Sequence, residues 1–510
     1  MPEEMELKLA VAPGDAGRFR RHPLLGSLKQ GPARTEHLVN TYYDTAALRL
    51  QKSRIALRIR QAGKQLVQTI KRDAMPGQSG FVRGEWERPV ATDAPDLSGI
   101  DDPGLRAVLV PRRGRLVLMP VFATDFRRTV WLLKTADAEV ECALDVGEIR
   151  AGKASRTICE VELELKSGNP AELFAMAQHL NRTVPLRLEL ASKAARGYAL
   201  AAGAKPGPKF SQAVQLHDAM TGQTAISVIG QACLAQMVGN IEGAQQGKDP
   251  EYVHQLRVGI RQLRGALSAF RKEIAAEDRQ AISAEMRWLL QEVGPAREWD
   301  VLLEETFAPL MKRFHGREGL KRLKTLAEEH RAAEYERLRQ SLRSPRCGEI
   351  LLQTAAWLDA WSRQEHGAET TEESGARLPL KELAAEILQE RHRKVAKLGR
   401  RIRKLDAAEL HQLRIEIKKL RYAARFFETL WPKRASSRYI AALGNLQNVL
   451  GAMNDAAVAD GHIEQLAGEA GAGAEHDAGL LLGWISAHLR VRRRELRAVW
   501  ERFTKMEAFW

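Results

Sequence analysis

The segment Glu4-Met5-Glu6-Leu7-Lys8-Leu9 alternates charged and apolar residues with a period of two. In a strand, that period places Glu4, Glu6 and Lys8 on one face and Met5, Leu7 and Leu9 on the other. Two carboxylates and an ammonium on one short face suit a wet, polar interior better than an apolar core. Alternating or β-rich stretches recur at 36–44, 54–60, 65–71, 81–87, 126–132, 139–146 and 157–166, mostly between turn residues. With the first stretch they predict eight strands. Eight antiparallel strands can close a barrel whose interior takes alternate residues. Two short helices follow: one opened by Asn169 as N-cap with Pro170 at its first position, the other an Ala-rich run over 194–202.

Around 201–212 Gly and Pro concentrate without periodicity, which predicts a linker. Beyond it, Ala, Leu, Arg, Glu and Gln recur with helical period and strand signals nearly vanish. The expected division is residues 1–204, a linker at 205–213, and a helical region over 214–510. That region contains a duplication. His254, Arg257, Arg261 and Arg264 recur as His411, Arg414, Lys418 and Arg421, and Val293-Gly294 to Asp300 resembles Leu450-Gly451 to Asp455. The repeats span about 214–365 and 378–510, joined where Gly, Thr and Glu accumulate. At ~100° per residue the four repeated positions form one basic stripe about 15 Å long. Leu256, Ile260 and Leu263, with Leu413, Ile417 and Leu420 in the second copy, form the adjoining apolar face.

The strands' alternate positions carry the candidate chemistry. Arg58 and Arg60 share a face, Lys71 ends the next strand, and Glu85 and Glu87 flank Trp86. Glu139 and Glu141 share a face, Asp145 follows, and Glu160, Glu162 and Glu164 alternate with Val161, Leu163 and Leu165. Any one strand could simply present a solvated face of a sheet. Together they describe an interior in which acids could hold Mg²⁺ or Mn²⁺ and cations could clamp phosphate oxygens. That combination is what phosphoryl chemistry requires.

Seven motifs in order resemble those of the CYTH domain, the triphosphate tunnel metalloenzymes. They are Glu4-x-Glu6-x-Lys8, Thr41-Tyr42-Tyr43-Asp44-Thr45, Leu57-Arg58-Ile59-Arg60, Thr69-Ile70-Lys71, Arg83-x-Glu85-Trp86-Glu87, Glu160-Val161-Glu162-Leu163-Glu164 and Ser192-Lys193-x-x-Arg196-Gly197-Tyr198. The resemblance implies an eight-stranded tunnel that hydrolyses or cyclises triphosphate-bearing substrates with Mg²⁺ or Mn²⁺. It implies Glu4, Glu6, Asp145, Glu160 and Glu162 as metal ligands or groups positioning the attacking water. Lys8, Arg58, Arg60, Lys71, Arg127 and Lys193 would grip the triphosphate, and Glu4, Glu6, Lys8 and Lys193 form the implied catalytic set. Arg128 lies beside Arg127, and no motif fixes the register between them.

The duplicated H-x-x-R-x-x-x-[RK]-x-x-R stripe is similar to that of the CHAD domain, over about 214–508. This implies two four-helix bundles related by a pseudo-two-fold axis, with a basic channel for inorganic polyphosphate lined by His254, Arg257, Arg261, Arg264, His411, Arg414, Lys418 and Arg421. The full expected class is thus α+β and multidomain, a β-barrel tunnel followed by an all-α region. The two domains in this order imply an inorganic triphosphatase that converts tripolyphosphate and water to pyrophosphate and phosphate. Turnover of thiamine triphosphate or a nucleoside triphosphate, cyclisation of ATP, and a polyphosphate scaffold without turnover stay open as alternatives.

Composition narrows the partners. The 510 residues carry a net charge of +15 and a pI near 9.7, which calls for an anionic partner. With 6% aromatics and no groove-reading motif, nucleic acid is disfavoured. The basic run from Arg391 to Lys404 precedes the second stripe alone. Four widely spaced cysteines without a Cys-x-x-Cys pair fit a reducing compartment and argue against structural zinc. No apolar run approaching the ~20 residues of a membrane span is expected. The reading is a cytoplasmic protein, associated through polyphosphate with its deposits.

Overall fold

The computed structural model describes residues 3–72, 81–100, 102–109, 116–367, 378–471 and 473–510. The chain forms two compact units, Met1–Gly207 with Arg343–His366, and Pro208–Leu342 with Gly367–Trp510.

The first unit is built on nine antiparallel strands: β1 (Glu3–Val11), β2 (Arg34–Asp44), β3 (Ile55–Ala62), β4 (Gln65–Arg72), β5 (Val82–Pro89), β6 (Met119–Lys134), β7 (Ala138–Ala151), β8 (Ala154–Gly168) and β9 (Leu186–Leu188). Their order is β5-β4-β3-β2-β6-β7-β8-β1-β9, and β1 also pairs with β5. That pairing closes eight strands into the expected barrel. One edge of β1 is shared: Glu3 to Met5 pair with β5 and Leu9 to Val11 with β9. The ninth strand has three residues, too few to show a period.

The barrel is polar inside and apolar outside. Leu7, Leu9, Leu144, Val161 and Leu163 are fully buried on the faces opposite the charged residues, so a second layer must cover them. Helix α1 (Ala171–Asn181) buries Leu173, Phe174, Ala177 and Leu180 and packs against β8 and β9. Each such Leu or Phe side chain removed from water contributes ~1.5–3 kcal/mol. The side chain of Asn169 accepts from the Ala171 N–H, the capping role expected of it. Asp44 of the Tyr-Tyr-Asp motif, fully buried, accepts N–H bonds from Thr45, Leu50 and Gln51 at 2.7–2.9 Å. It turns the chain out of β2 and leaves no acceptor for chemistry. Helix α2 (Lys193–Ala201) is capped by Ser192. Gly197 has no room for a Cβ because the Phe122 ring lies against it.

The chain then forms α3 (Gly222–Gln246), α4 (Pro250–Ala269), α5 (Ala276–Val301) and α6 (Glu318–Arg343). It returns to the first unit as α7 (Pro345–Gly367) and continues through α8 (Leu380–Gly399), α9 (Ala407–Phe426), α10 (Lys433–Ala470) and α11 (Glu475–Thr504). Helix α7, which the sequence division counts with the first repeat, meets α1, β9 and β1. Asn181 donates to the Pro345 carbonyl at 2.6 Å, a Cβ on Gly348 would collide with the Leu186 carbonyl, and Arg363 reaches Met5 Sδ at 3.4 Å.

Helices α4, α5 and α6 begin 157 residues before α9, α10 and α11 respectively. This constant offset corrects the second sequence alignment, which paired Asp300 with Asp455: the structural counterpart of Asp455 is Glu298. Phe270 and Phe427, one offset apart, meet edge to face with ring centroids 5.6 Å apart, so the two copies touch through equivalent residues. Helix α10 runs unbroken for 38 residues. Its counterpart is interrupted by a π-helical turn at Leu302–Phe307 before a short helix at Ala308–Arg313. Pro309 explains the interruption, since it lacks the N–H that an α-helix would donate to Glu305.

One expectation needs correction. Helix α3 is long and apolar enough to cross a membrane, with a mean hydropathy of 1.3 over its most apolar window. Two thirds of that window is buried in the protein, as in the core helix of a bundle. All four cysteines are buried and free.

Candidate functional site

Inside the barrel, strand alternation brings the charged faces together. Glu6 and Lys8 of β1 form an ion pair and are nearly buried. On β3, Arg58 lies 3.9 Å from both Glu85 and Glu87, and Arg60 donates to Asn40 at 3.2 Å. Lys71 pairs with Glu85 and lies 3.6 Å from Glu4. Glu4 shares a hydrogen bond with Glu85. Burial and that bond push the Glu4 carboxyl up to about 8. Burial opposes ionisation of Glu85 too, but the Glu4 proton, Lys71 and Arg58 outweigh it and hold Glu85 at about 2.

Asp145, Glu160 and Glu162 form a second acidic group, their carboxylate oxygens within 4.8 Å of one another. Among the described residues, cations from β6 and α2 bond it directly. Arg128 makes a bidentate pair with Asp145 at 2.7 Å and reaches Glu162 at 2.5 Å. Lys193, from the first turn of α2, bonds Asp145 at 2.6 Å and Glu162 at 2.9 Å and also pairs with Glu160. Arg196, one turn later, pairs with Glu160. Burial disfavours these charges, yet their partners prevail. Lys193 and Arg128 hold Glu162 well below the usual carboxylate range, and the three carboxylates raise Lys193.

The register of β6 puts Arg128 inside and leaves Arg127 exposed on the outer face. Arg127 therefore points away from the tunnel groups, and Arg128 lies among them. Of the five expected metal ligands, Asp145, Glu160 and Glu162 come together; Glu4 and Glu6 lie outside that group, with Lys71 and Lys8. The donor set is three hard carboxylate oxygens, which fits Mg²⁺ or Mn²⁺. Glu85 and Arg196 stood in motifs already but carried no assigned role. Nothing in the sequence separated them from tunnel lining.

In the helical unit, His254, Arg257, Arg261 and Arg264 lie along α4 and His411, Arg414, Lys418 and Arg421 along α9, two helices in contact. Arg257, Arg261, His411 and Arg414 line a cavity of about 370 Å³. His254, Arg264, Lys418 and Arg421 continue the same helix faces beyond it. Acids missed in the sequence face the stripe in duplicate: Glu298 lies 4.0 Å from Arg257 and Asp455 lies 3.7 Å from Arg414. The constant offset would have exposed both. His411 bonds Asn454 at 2.7 Å. Burial and Arg261 pull Arg257 down to about 10. Burial, Arg261 and Arg414 push Lys418 down to about 6.

Comparison with known proteins finds two families along the chain. The family model of the CYTH domain matches residues 2–198 and that of the CHAD domain residues 228–464. An inorganic triphosphatase from Haemophilus influenzae is 33% identical over 201 residues, a match spanning 39% of this chain and 55% of that protein. The crystal structure of the CHAD domain from the plant Ricinus communis is 29% identical, with a TM-score of 0.52 over 59% of this chain and 98% of that one. PptA from Streptomyces chartreusis is 14% identical, with a TM-score of 0.44 over 55% of this chain and 99% of that one. The chain carries a CYTH domain followed by a CHAD domain.

Proposed function

We propose that the chain is a metal-dependent inorganic triphosphatase that hydrolyses tripolyphosphate to pyrophosphate and phosphate, and that its helical unit binds polyphosphate. The observation that carries this reading is the closed barrel interior, where three clustered carboxylates stand opposite cations from β1, β3, β4, β6 and α2. The Haemophilus influenzae relative supports the choice of an inorganic substrate.

Asp145, Glu160 and Glu162 would hold Mg²⁺ or Mn²⁺, which neutralises phosphate charge and lowers the pKa of bound water. Arg58, Arg60, Lys71 and Arg128, with Lys8 and Lys193, orient the triphosphate and stabilise charge developing on the departing pyrophosphate. Glu4 keeps its proton near neutrality, so the Glu4–Glu85 pair carries a single negative charge beside Lys71. In the helical unit, the duplicated cations of α4 and α9 would hold a longer chain, keeping the protein on polyphosphate deposits or supplying the tunnel.

The test is phosphate release from tripolyphosphate by the full chain with Mg²⁺, with Mn²⁺ and with chelator. Metal-dependent release that falls at least ~100-fold in Glu162→Gln, with Glu6→Ala also impaired and little turnover of ATP or thiamine triphosphate, is expected. A folded protein that releases no phosphate with either metal overturns the enzymatic reading.

A further inference from the structure

The basic run from Arg391 to Lys404 splits in the structure. Arg391 is buried and donates to Ser268. The end of the run forms a turn after α8 in which Arg400, Arg401, Arg403 and Lys404 are all exposed. With Arg497 of α11, these four line a concavity of about 360 Å³ in which Glu501 is the one acid among the described residues. Glu501 pairs with Arg403 at 3.4 Å. Exposed Arg493 and Arg494 lie one helical turn before Arg497 on the same side of α11.

The turn is held at both ends. Gly399 has no space for a Cβ because the Trp500 ring lies against it. Backbone bonds from Arg400 to Ala396, Ile402 to Gly399 and Lys404 to Arg401 fix the path between. Leu405 is buried, and Asp406 closes the turn with a capping box to Glu409. Like charges crowded onto a fixed turn repel one another, and an anion relieves that cost. The feature belongs to the second copy alone. The matching connection, between α3 and α4, is only Gly247-Lys248-Asp249, and the counterparts of Arg493, Arg494 and Arg497 are Glu336, Arg337 and Gln340.

We propose that this turn and the adjacent face of α11 form a second phosphate-chain site, outside the duplicated stripe, that takes inorganic polyphosphate. The proposal rests on the reading of the helical unit as a polyphosphate binder. The chemistry favours a base-free chain over nucleic acid. Trp500 lines the concavity, but its ring is packed against Gly399 and only 7% of the residue is exposed, too little face for a base to stack on, and a concavity cannot enter a duplex groove as a helix or ribbon does.

The experiment compares full-length protein, a variant with Arg400→Gln, Arg401→Gln, Arg403→Gln and Lys404→Gln, and a channel variant with Arg257→Gln and Arg414→Gln. The probes are polyphosphate of about a hundred phosphates and single-stranded and duplex DNA of matched charge, titrated over a salt series. The turn variant should bind the long chain about tenfold more weakly, with a salt slope shallower by about three, and should still hydrolyse tripolyphosphate at the parental rate. The channel variant should keep residual long-chain binding that adding the turn substitutions removes. Unchanged affinity and slope in the turn variant overturn this site while leaving the polyphosphate reading intact. A parental protein that binds no polyphosphate overturns the underlying reading. DNA bound as tightly as polyphosphate, and lost with the same four substitutions, reassigns the site to nucleic acid.

Discussion

The tunnel and the channel use the same side chains in opposite ways. In the tunnel, Arg58, Arg128 and Lys193 are buried beside carboxylates and hold their protons more firmly than in water. Arg60, next to Arg58 and Arg128, is the exception, pulled down to about 10. In the channel, burial lowers Arg257, Arg264, Arg414, Lys418 and Arg421 alike. Arg128, Lys193 and Lys71 already have close carboxylate partners within the fold, so an incoming anion must compete for them with its own geometry and charge. The channel cations face Glu298 and Asp455 only at the limit of ion pairing, and their charge awaits an external anion. Under the proposed function, the first arrangement would serve selection of a short substrate and the second capture of a long polyanion.

The largest effect that can break this contrast is on stability. Arg128→Met leaves Asp145 and Glu162 short of a buried partner and should destabilise the first unit by about 3 kcal/mol, read from its urea midpoint. Arg261→Met in the channel should be neutral or stabilising, because it removes a like-charge neighbour. Equal losses at the two positions would erase the distinction. Next comes binding. Arg257→Gln with Arg414→Gln should weaken long-chain polyphosphate binding by ten- to a hundredfold and leave tripolyphosphate turnover unchanged, as calorimetry and phosphate release would show.

The smallest effect is a proton. Unfolded, Lys418 titrates near the ordinary 10.5; folded, it titrates at about 6. Between those values the unfolded chain holds a proton that the fold lacks. Stability therefore falls as pH drops from about 10.5 to about 6, and Lys418 adds no further change below that. A polyanion that restores the charge should draw up to about one proton from weakly buffered solution at pH 8, and Lys418→Gln should abolish that uptake. Lys193, already held in its charged form, should contribute none.

Much of this was legible in the sequence, for identifiable reasons. Strand alternation alone puts Glu4, Glu6 and Lys8 on one face, and helical period alone places both basic stripes. Adjacent arginines on a 16-residue strand led the sequence reading to Arg127 where the fold places Arg128 inside, since only the register of β6 against β7 chooses between them. Glu298 and Asp455 stayed hidden because they meet the stripe from another helix, and local period says nothing of what faces it. The membership of α7 escaped for a similar reason: an apolar face declares that it will be buried, not against what.

That last point bears on how the protein is made. On the ribosome the first unit's contiguous part, ending at Gly207, emerges well before Arg343, where its remaining helix begins. At ~5–20 residues per second the interval is roughly seven to thirty seconds. Throughout it, the side of β1 that α7 will touch, opposite Glu4, Glu6 and Lys8, lacks its last covering layer. The barrel strands are synthesised early, but they reach their finished packing only after most of the first helical repeat has been translated.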